Sequence, residues 1–153
     1  HIMEHVIPGK GFETLRFGLS KEQVERIIGK PDEIEMIKLD EEDDKESIEA
    51  WHYDQYSFSI SFDEHDDWKL GNISANNPKL NIEGQEFMNL SVMEAIKKID
   101  DLDLGDYEVQ DMEDGQKVIA LYDVFINMWV DNDQIVEIQW SPFLNDEDEP
   151  IWP

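Results

Sequence analysis

The chain writes one helix opening twice. Residues 18–31 read GLSKEQVERIIGKP and residues 89–100 read NLSVMEAIKKID. In the first, Ser20 is followed three residues later by Gln23; in the second, Ser91 is followed by Glu94. Both are capping boxes, in which the Ser hydroxyl and the Gln or Glu side chain satisfy N–H groups that a helix start leaves orphaned. An apolar stripe at helical spacing follows each: Val24, Ile27 and Ile28, then Val92, Ala95, Ile96 and Ile99. Gly29 with Pro31 stops the first helix, whereas the second frays through DDLDLGD with Gly105 as its break.

Four strand-like segments follow each helix. IEMIKL (34–39) corresponds to YEVQDM (107–112), and IEAWHY (48–53) to KVIALY (117–122). YSFSISFD (56–63) corresponds to VFINMWVD (124–131), and LGNIS (70–74) to IVEIQW (135–140). Tyr-Asp recurs at 53–54 and 122–123, Asp114-Gly115 is a hairpin signal, and 131–133 (Asp-Asn-Asp) reads as a turn. The spacing slides from 71 residues at the capping serines to 68 at Asp63 and Asp131, as short loop deletions would produce.

One helix cannot cover a four-stranded meander, so the two units are expected to share a sheet. The expected class is therefore α+β: two tandem helix-plus-meander units joined in one antiparallel sheet, helices on one face and the opposite face open. At 153 residues this is a single domain. The expected internal repeats are 4–77 and 84–142, with an acidic tail at 143–153. Alternation sends Tyr56, Phe58, Ile60 and Phe62 inward and Ser57, Ser59 and Ser61 outward. In the second unit Val124, Ile126, Met128 and Val130 point inward, leaving Phe125, Asn127 and Trp129 on the open face.

Charge narrows the partners. With 12 Lys+Arg against 38 Asp+Glu, the formal net charge is −26. Such a field repels nucleic acid and anionic membranes and draws in cationic surfaces. With no Cys, disulfides, thiolate catalysis and Cys-type zinc sites are excluded. No apolar run reaches the ~20 residues of a membrane span and no signal-peptide core precedes the first turn, so the expected location is cytoplasmic. The opening His-Ile-Met reads as a cloning remnant, with Met3 as initiator.

The stretch Gly18 to Pro31 resembles the opening of the small lipoprotein family that assists outer-membrane assembly (SmpA/OmlA). The tandem arrangement is similar to the β-lactamase-inhibitor-protein fold, in which two such units share one sheet. That resemblance implies a concave sheet surface that grips a partner protein and no active site. VIPGKGFETLRFGLS also resembles the opening of many cytoplasmic bacterial proteins, some of which act as immunity proteins beside secreted toxins.

Searches for chemistry return little. Of the four histidines, His1 belongs to the remnant, His5 to an end expected to fray, His52 to a strand and His65 to the polar turn DEHDDW. His-x-x-x-His falls only at His1 and His5, inside the remnant and the chain end, and Glu-x-x-His only at Glu49 and His52, on an expected strand; neither DEEDDKESIE nor DNDQIVEI carries the glycine of a calcium loop. Ser20 and Ser91 are caps, no Gly-x-Ser-x-Gly elbow occurs, and Gly-Lys-Gly at 9–11 is too short to cradle a phosphate. No metal, cofactor or catalytic residue is expected, and no enzyme.

What remains is an interface. The acidic clusters Asp40, Glu41, Glu42, Asp43, Asp44 and Asp63, Glu64, Asp66, Asp67 fall at loops or turns, and a third lies at 145–149. Around Trp51, Trp68 and Trp129 they have the anatomy of a partner-binding rim, with aromatic anchors for affinity and charge for association rate. Ser57, Ser59, Ser61, Phe125 and Asn127 complete the expected surface. The function expected is a cytoplasmic immunity protein occluding a basic toxin domain, most plausibly a nuclease, in a 1:1 complex. An adaptor or envelope-assembly module and an acidic DNA mimic are the alternatives.

Overall fold

A computed structural model describes residues 2–38 and 47–153. Two helices form where the capping boxes stand, α1 (Lys21–Ile28) and α2 (Val92–Asp101). Both boxes close reciprocally. The Gln23 N–H donates to Ser20 Oγ at 3.2 Å and the Ser20 N–H to Gln23 Oε1 at 2.9 Å. Glu94 and Ser91 do the same at 3.2 and 3.0 Å. Gly29, at φ 84°, ends α1 with its N–H on the Glu25 carbonyl. α2 ends before its glycine: Leu102 caps it in right-handed geometry, and Gly105 turns the chain into the next strand.

The strands are β1 (Glu33–Lys38), β2 (Ser47–Tyr53), β3 (Phe58–Asp63), β4 (Lys69–Ala75), β5 (Asn81–Ile82), β6 (Gln85–Glu86), β7 (Tyr107–Asp111), β8 (Lys117–Leu121), β9 (Ile126–Asp131) and β10 (Gln134–Trp140). Eight of them make one antiparallel sheet in the order β1-β2-β3-β4-β10-β9-β8-β7, while β5 and β6 pair separately. Two meanders thus meet at a seam between β4 and β10. There Ser74 faces Gln139, flanked by Ile73 opposite Trp140 and Ala75 opposite Ile138.

The helix openings are moored to the two seam strands in the same way. Gly18 N–H donates to the Leu70 carbonyl and Leu70 N–H to the Leu19 carbonyl, each at 2.8 Å. On the other side Asn89 N–H donates to the Ile135 carbonyl and Ile135 N–H to the Leu90 carbonyl, each at 2.9 Å.

Period-two alternation is visible in burial. Phe58, Ile60 and Phe62 are buried while Ser59 and Ser61 are partly exposed; Ile126, Met128 and Val130 are buried while Asn127 and Trp129 are partly exposed. The helices supply little of the cover. α1 buries only Val24, and α2 only Ala95 and Ile99. The gap between them is filled by the N-terminal segment and by the chain around β5 and β6. Phe12 meets the Trp140 ring edge-on at 5.2 Å, and Phe17 does so at 6.4 Å. Leu15, Leu80, Ile82 and Phe87 are also fully buried. Aromatic pairs of this kind add about 0.5–1.5 kcal/mol each beyond the area they bury.

Two sequence expectations are corrected at the chain ends. His5, expected to fray, bridges to Asn81, with Nδ1 at 2.8 Å from Asn81 Oδ1, and Val6 N–H donates to the Asn81 carbonyl. Residues 143–153 are more than an acidic tail. Phe143 lies against Gly9, where a Cβ would meet its ring at 2.5 Å, so only a glycine admits that approach. Trp152 packs on Gly18 and on the core.

Candidate partner-binding face

The strand register places the outward side chains of the sheet in rows. One row crosses all eight strands: Glu33, His52, Ser59, Ser74, Gln139, Asn127, Ala120 and Glu108. None is Lys or Arg. Hydrogen bonds tie its middle together. Asn127 Nδ2 donates to Gln139 Oε1 at 2.8 Å, and Gln139 Nε2 donates to Asn72 Oδ1 across the seam. His52 Nδ1 lies 2.6 Å from Ser59 Oγ, and its Nε2 lies 3.1 Å from Glu35 Oε1. Small polar residues tolerate this exposure because their groups either pair locally or stay wet.

Beside this row lies a second, from Val118 through Trp129 to Glu137. Val118 is buried although it is on the outer face, because Trp129 stands directly opposite. A bulge between Ile135 and Glu137 re-aims the β10 backbone here. Glu137 is half-buried, and loss of water raises its carboxyl pKa above the ordinary value.

Glu137 and Asn76 are shared by two open hollows, of 440 and 390 Å³. The larger is lined by Glu33, His52, Asp54, Ser57 and Ser59 among others, and no lysine or arginine lines it among the described residues. Trp129 and Val136 line the smaller. The end of the face thus presents carboxylates on one side of Glu137 and an indole on the other.

The sequence-predicted residues divide accordingly. Ser57, Ser59, Asn127 and Trp129 come together on this face, and Ser61 is on it beside Ala50 and Asn72. Phe125 sits at the opposite end, because β9 runs antiparallel to β3, and its ring lies 5.7 Å from Phe143. Asp63, Glu64, Asp66 and Asp67 form the β3–β4 turn, also at that far end. Burial, then the charge of Asp63, raises the Asp66 pKa.

Trp51 does not join a rim. It points to the helix side, 5% exposed, edge-on to Phe62 at 4.8 Å, and its Nε1–H donates to Glu49 Oε2 at 2.7 Å. Trp68 is half-buried against the core with the Lys21 ammonium 4.0 Å from its ring centroid. Asp40, Glu41, Glu42, Asp43 and Asp44 lie outside the described residues.

Sequence reading missed Glu137, Asn76, Gln139 and His52 as members of the face. Alternation with Ile138 and Trp140 sets Glu137 and Gln139 outward, and the bulge at Val136 is what brings Ile135 to the buried side as well. Among the described residues no group of three or more His, Asp or Glu side chains could hold a metal ion, and no helix is long and apolar enough to cross a membrane.

No family model matches the chain, and no curated protein matches it. Among solved structures, an extracellular protein containing a SCP domain from Bacillus anthracis str. Ames is similar with a TM-score of 0.46 and 13% identity. The likeness covers 82% of this chain, which spans only 43% of that one, and at this level it carries no argument.

Proposed function

We propose that this chain is a non-enzymatic inhibitor that binds a basic protein partner through the open face of its sheet. The partner read here is a toxin domain, most plausibly a nuclease, and the chain is its cytoplasmic immunity protein. One observation carries the reading: a cation-free band of side chains crosses all eight strands of a molecule with a net charge of −26, with Trp129 at its edge. A nuclease cleft is shaped to attract phosphate, so a surface of fixed carboxylates competes for the same site. Inhibition is by occlusion, in a 1:1 complex. Duplication of one helix-plus-meander unit accounts for how such a wide face arose. The matched mooring of α1 and α2 and the like-to-like register at Ser74 and Gln139 support that history.

The test is co-expression with the C-terminal region of the adjacent open reading frame in a neutral host. Rescue of growth, through a complex that light scattering shows to be 1:1, is the expected outcome. Its association rate should fall steeply as salt rises from about 0.05 to 0.5 M, as electrostatic steering is screened. A harmless neighbour, a failed rescue or a salt-insensitive association rate would overturn the reading.

A further inference from the structure

β1 is the outermost strand of the sheet, and every one of its residues is exposed. Its two faces differ. Register with β2 places Glu33 and Glu35 on the open face, opposite His52 and Ala50. It places Ile34 and Met36 on the helix side, opposite Trp51 and Glu49. α1 stops short of covering them: Ile34 is 54% and Met36 56% exposed, although their neighbours Trp51 and Tyr53 on the same face are buried. The apolar layer therefore continues past the point where its cover ends. Among the described residues no strand pairs with the outer side of β1, and an edge strand in this state offers backbone groups together with a ready-made apolar contact.

The other edge exposes less apolar surface, Val109 being its one exposed large apolar side chain at 37%. On β7, Tyr107 packs on the core, and Glu108 accepts a hydrogen bond at 2.5 Å from the Tyr122 hydroxyl, itself held by Gln110. The ion pair from Lys117 to Asp111, 3.8 Å long, spans its end. The two edges of one sheet are thus unequally prepared for company.

We infer that β1 receives an extended segment of the basic partner as a ninth strand, one whose residues alternate between basic and apolar. Main-chain pairing supplies affinity, and the alternation supplies selection. On the open face the added strand lays its cations beside Glu33 and Glu35, continuing the cross-strand row. On the helix side it lays apolar residues beside Ile34 and Met36. A second copy of this chain fits worse. Antiparallel self-pairing that keeps each face intact centres on residue 35 or 36. The first sets two Glu35 carboxylates side by side, and the second sets Glu35 beside Ile37; Lys38 falls on the helix side in both, so neither lays a cation beside Glu33 or Glu35. Two molecules of net charge −26 also repel. The basic character of the occupant rests on the inhibitor reading above; the strand geometry does not.

The probe is a fluorescein-labelled peptide, Lys-Val-Lys-Val-Lys-Val-Lys, set against its block isomer Lys-Lys-Lys-Lys-Val-Val-Val at equal charge. Anisotropy should show the alternating peptide binding tighter by about tenfold or more. Hydrogen exchange of the bound protein should slow over residues 33–38 and stay unchanged over 107–111. Ile34→Lys with Met36→Lys, both exposed and harmless to the fold, should remove that preference, while Val109→Lys on β7 should leave it intact. Equal affinity for both isomers, protection at β7 or an unaffected double variant would overturn the inference. The two readings fail separately. If the double variant rescues co-expressing cells as well as the parent, the edge inference falls and the inhibitor stands. If the alternating peptide protects β1 but no neighbour is neutralised, the inhibitor falls and the edge remains.

Discussion

The two meanders use the same turn to enter their third strand and finish it differently. Ser57 and Phe125 each precede that strand, and each holds a φ of +55°. Each turn is braced by an aspartate. The Asp54 N–H donates to Asp32 Oδ2, and the Asp106 N–H to Asp123 Oδ2, both at 2.8 Å. At Ser57 the small side chain leaves a 440 Å³ hollow floored by polar groups. At Phe125 the ring packs against Phe143 from the C-terminal segment. One turn geometry therefore gives an open hollow in one meander and an aromatic contact in the other, and the choice rests on one side chain and what packs on it. The outer face follows the same division: His52, Ser59 and Ser61 in the first half, Ala120, Val118 and Trp129 in the second.

That comparison breaks most severely at the seam. Trp140 fills the interior where the matching position of β4 carries Ala75, and it is the largest fully buried side chain. Trp140→Ala should cost about 3–5 kcal/mol, read as a fall in the urea midpoint with both halves unfolding together. Separate transitions for near- and far-ultraviolet signals would show that the halves are independent.

Exchanging the turn residues is the sharper test. Phe125→Ser removes the Phe143 contact and should cost about 1–3 kcal/mol in urea unfolding. Ser57→Phe fills the open hollow in a backbone geometry that Phe125 already adopts. It should leave stability within about 1 kcal/mol and weaken the proposed complex with a basic partner by about tenfold or more, measured by calorimetry. A complex indifferent to Ser57→Phe would place the contact elsewhere.

The capping boxes should prove equal. Ser20→Ala and Ser91→Ala are each expected to cost about 1 kcal/mol, since each leaves the N–H of Gln23 or Glu94 without its acceptor. A clear difference would mean that the mooring on Leu70 and Ile135 is not shared equally.

Glu137→Gln has the smallest effect and a defined sign. Burial raises its folded pKa above the ordinary 4.5, so the ionised form is the costly one. The native state therefore loses stability as pH rises through that interval, and the loss persists at neutral pH. Glutamine should raise Tm at pH 7 by about 1–2 °C, discounted because half of the side chain is wet, and the gain should vanish below about pH 4.

Much of the fold was legible because its signals are local. Both capping boxes, the eight long strands and their alternation follow from spacing, and each strand lies within two residues of its expected position. Three features were not legible, each for a non-local reason. β5 and β6 are two residues long, too short for a period to show. The segment around Phe12, Leu15 and Phe17 has neither helical nor strand spacing, because its register is set by the gap it fills. Trp51 looked like an interface aromatic in a strand of mixed polarity, but its direction depends on register with Ile60, which no local pattern encodes.

The sequence by itself determined the two helix starts, the strand positions, the absence of thiol chemistry and the sign of the long-range field. These depend on neighbouring residues or on composition alone. Only the tertiary structure decided that the meanders meet at β4 and β10, that a bulge puts Ile135 on the same buried face as Ile138, and that one turn stays hollow while its counterpart is plugged. Those outcomes depend on which distant surfaces come into register. Burial of Trp140 beneath Phe12 and Phe17 forces that registration, joining parts of the chain more than a hundred residues apart.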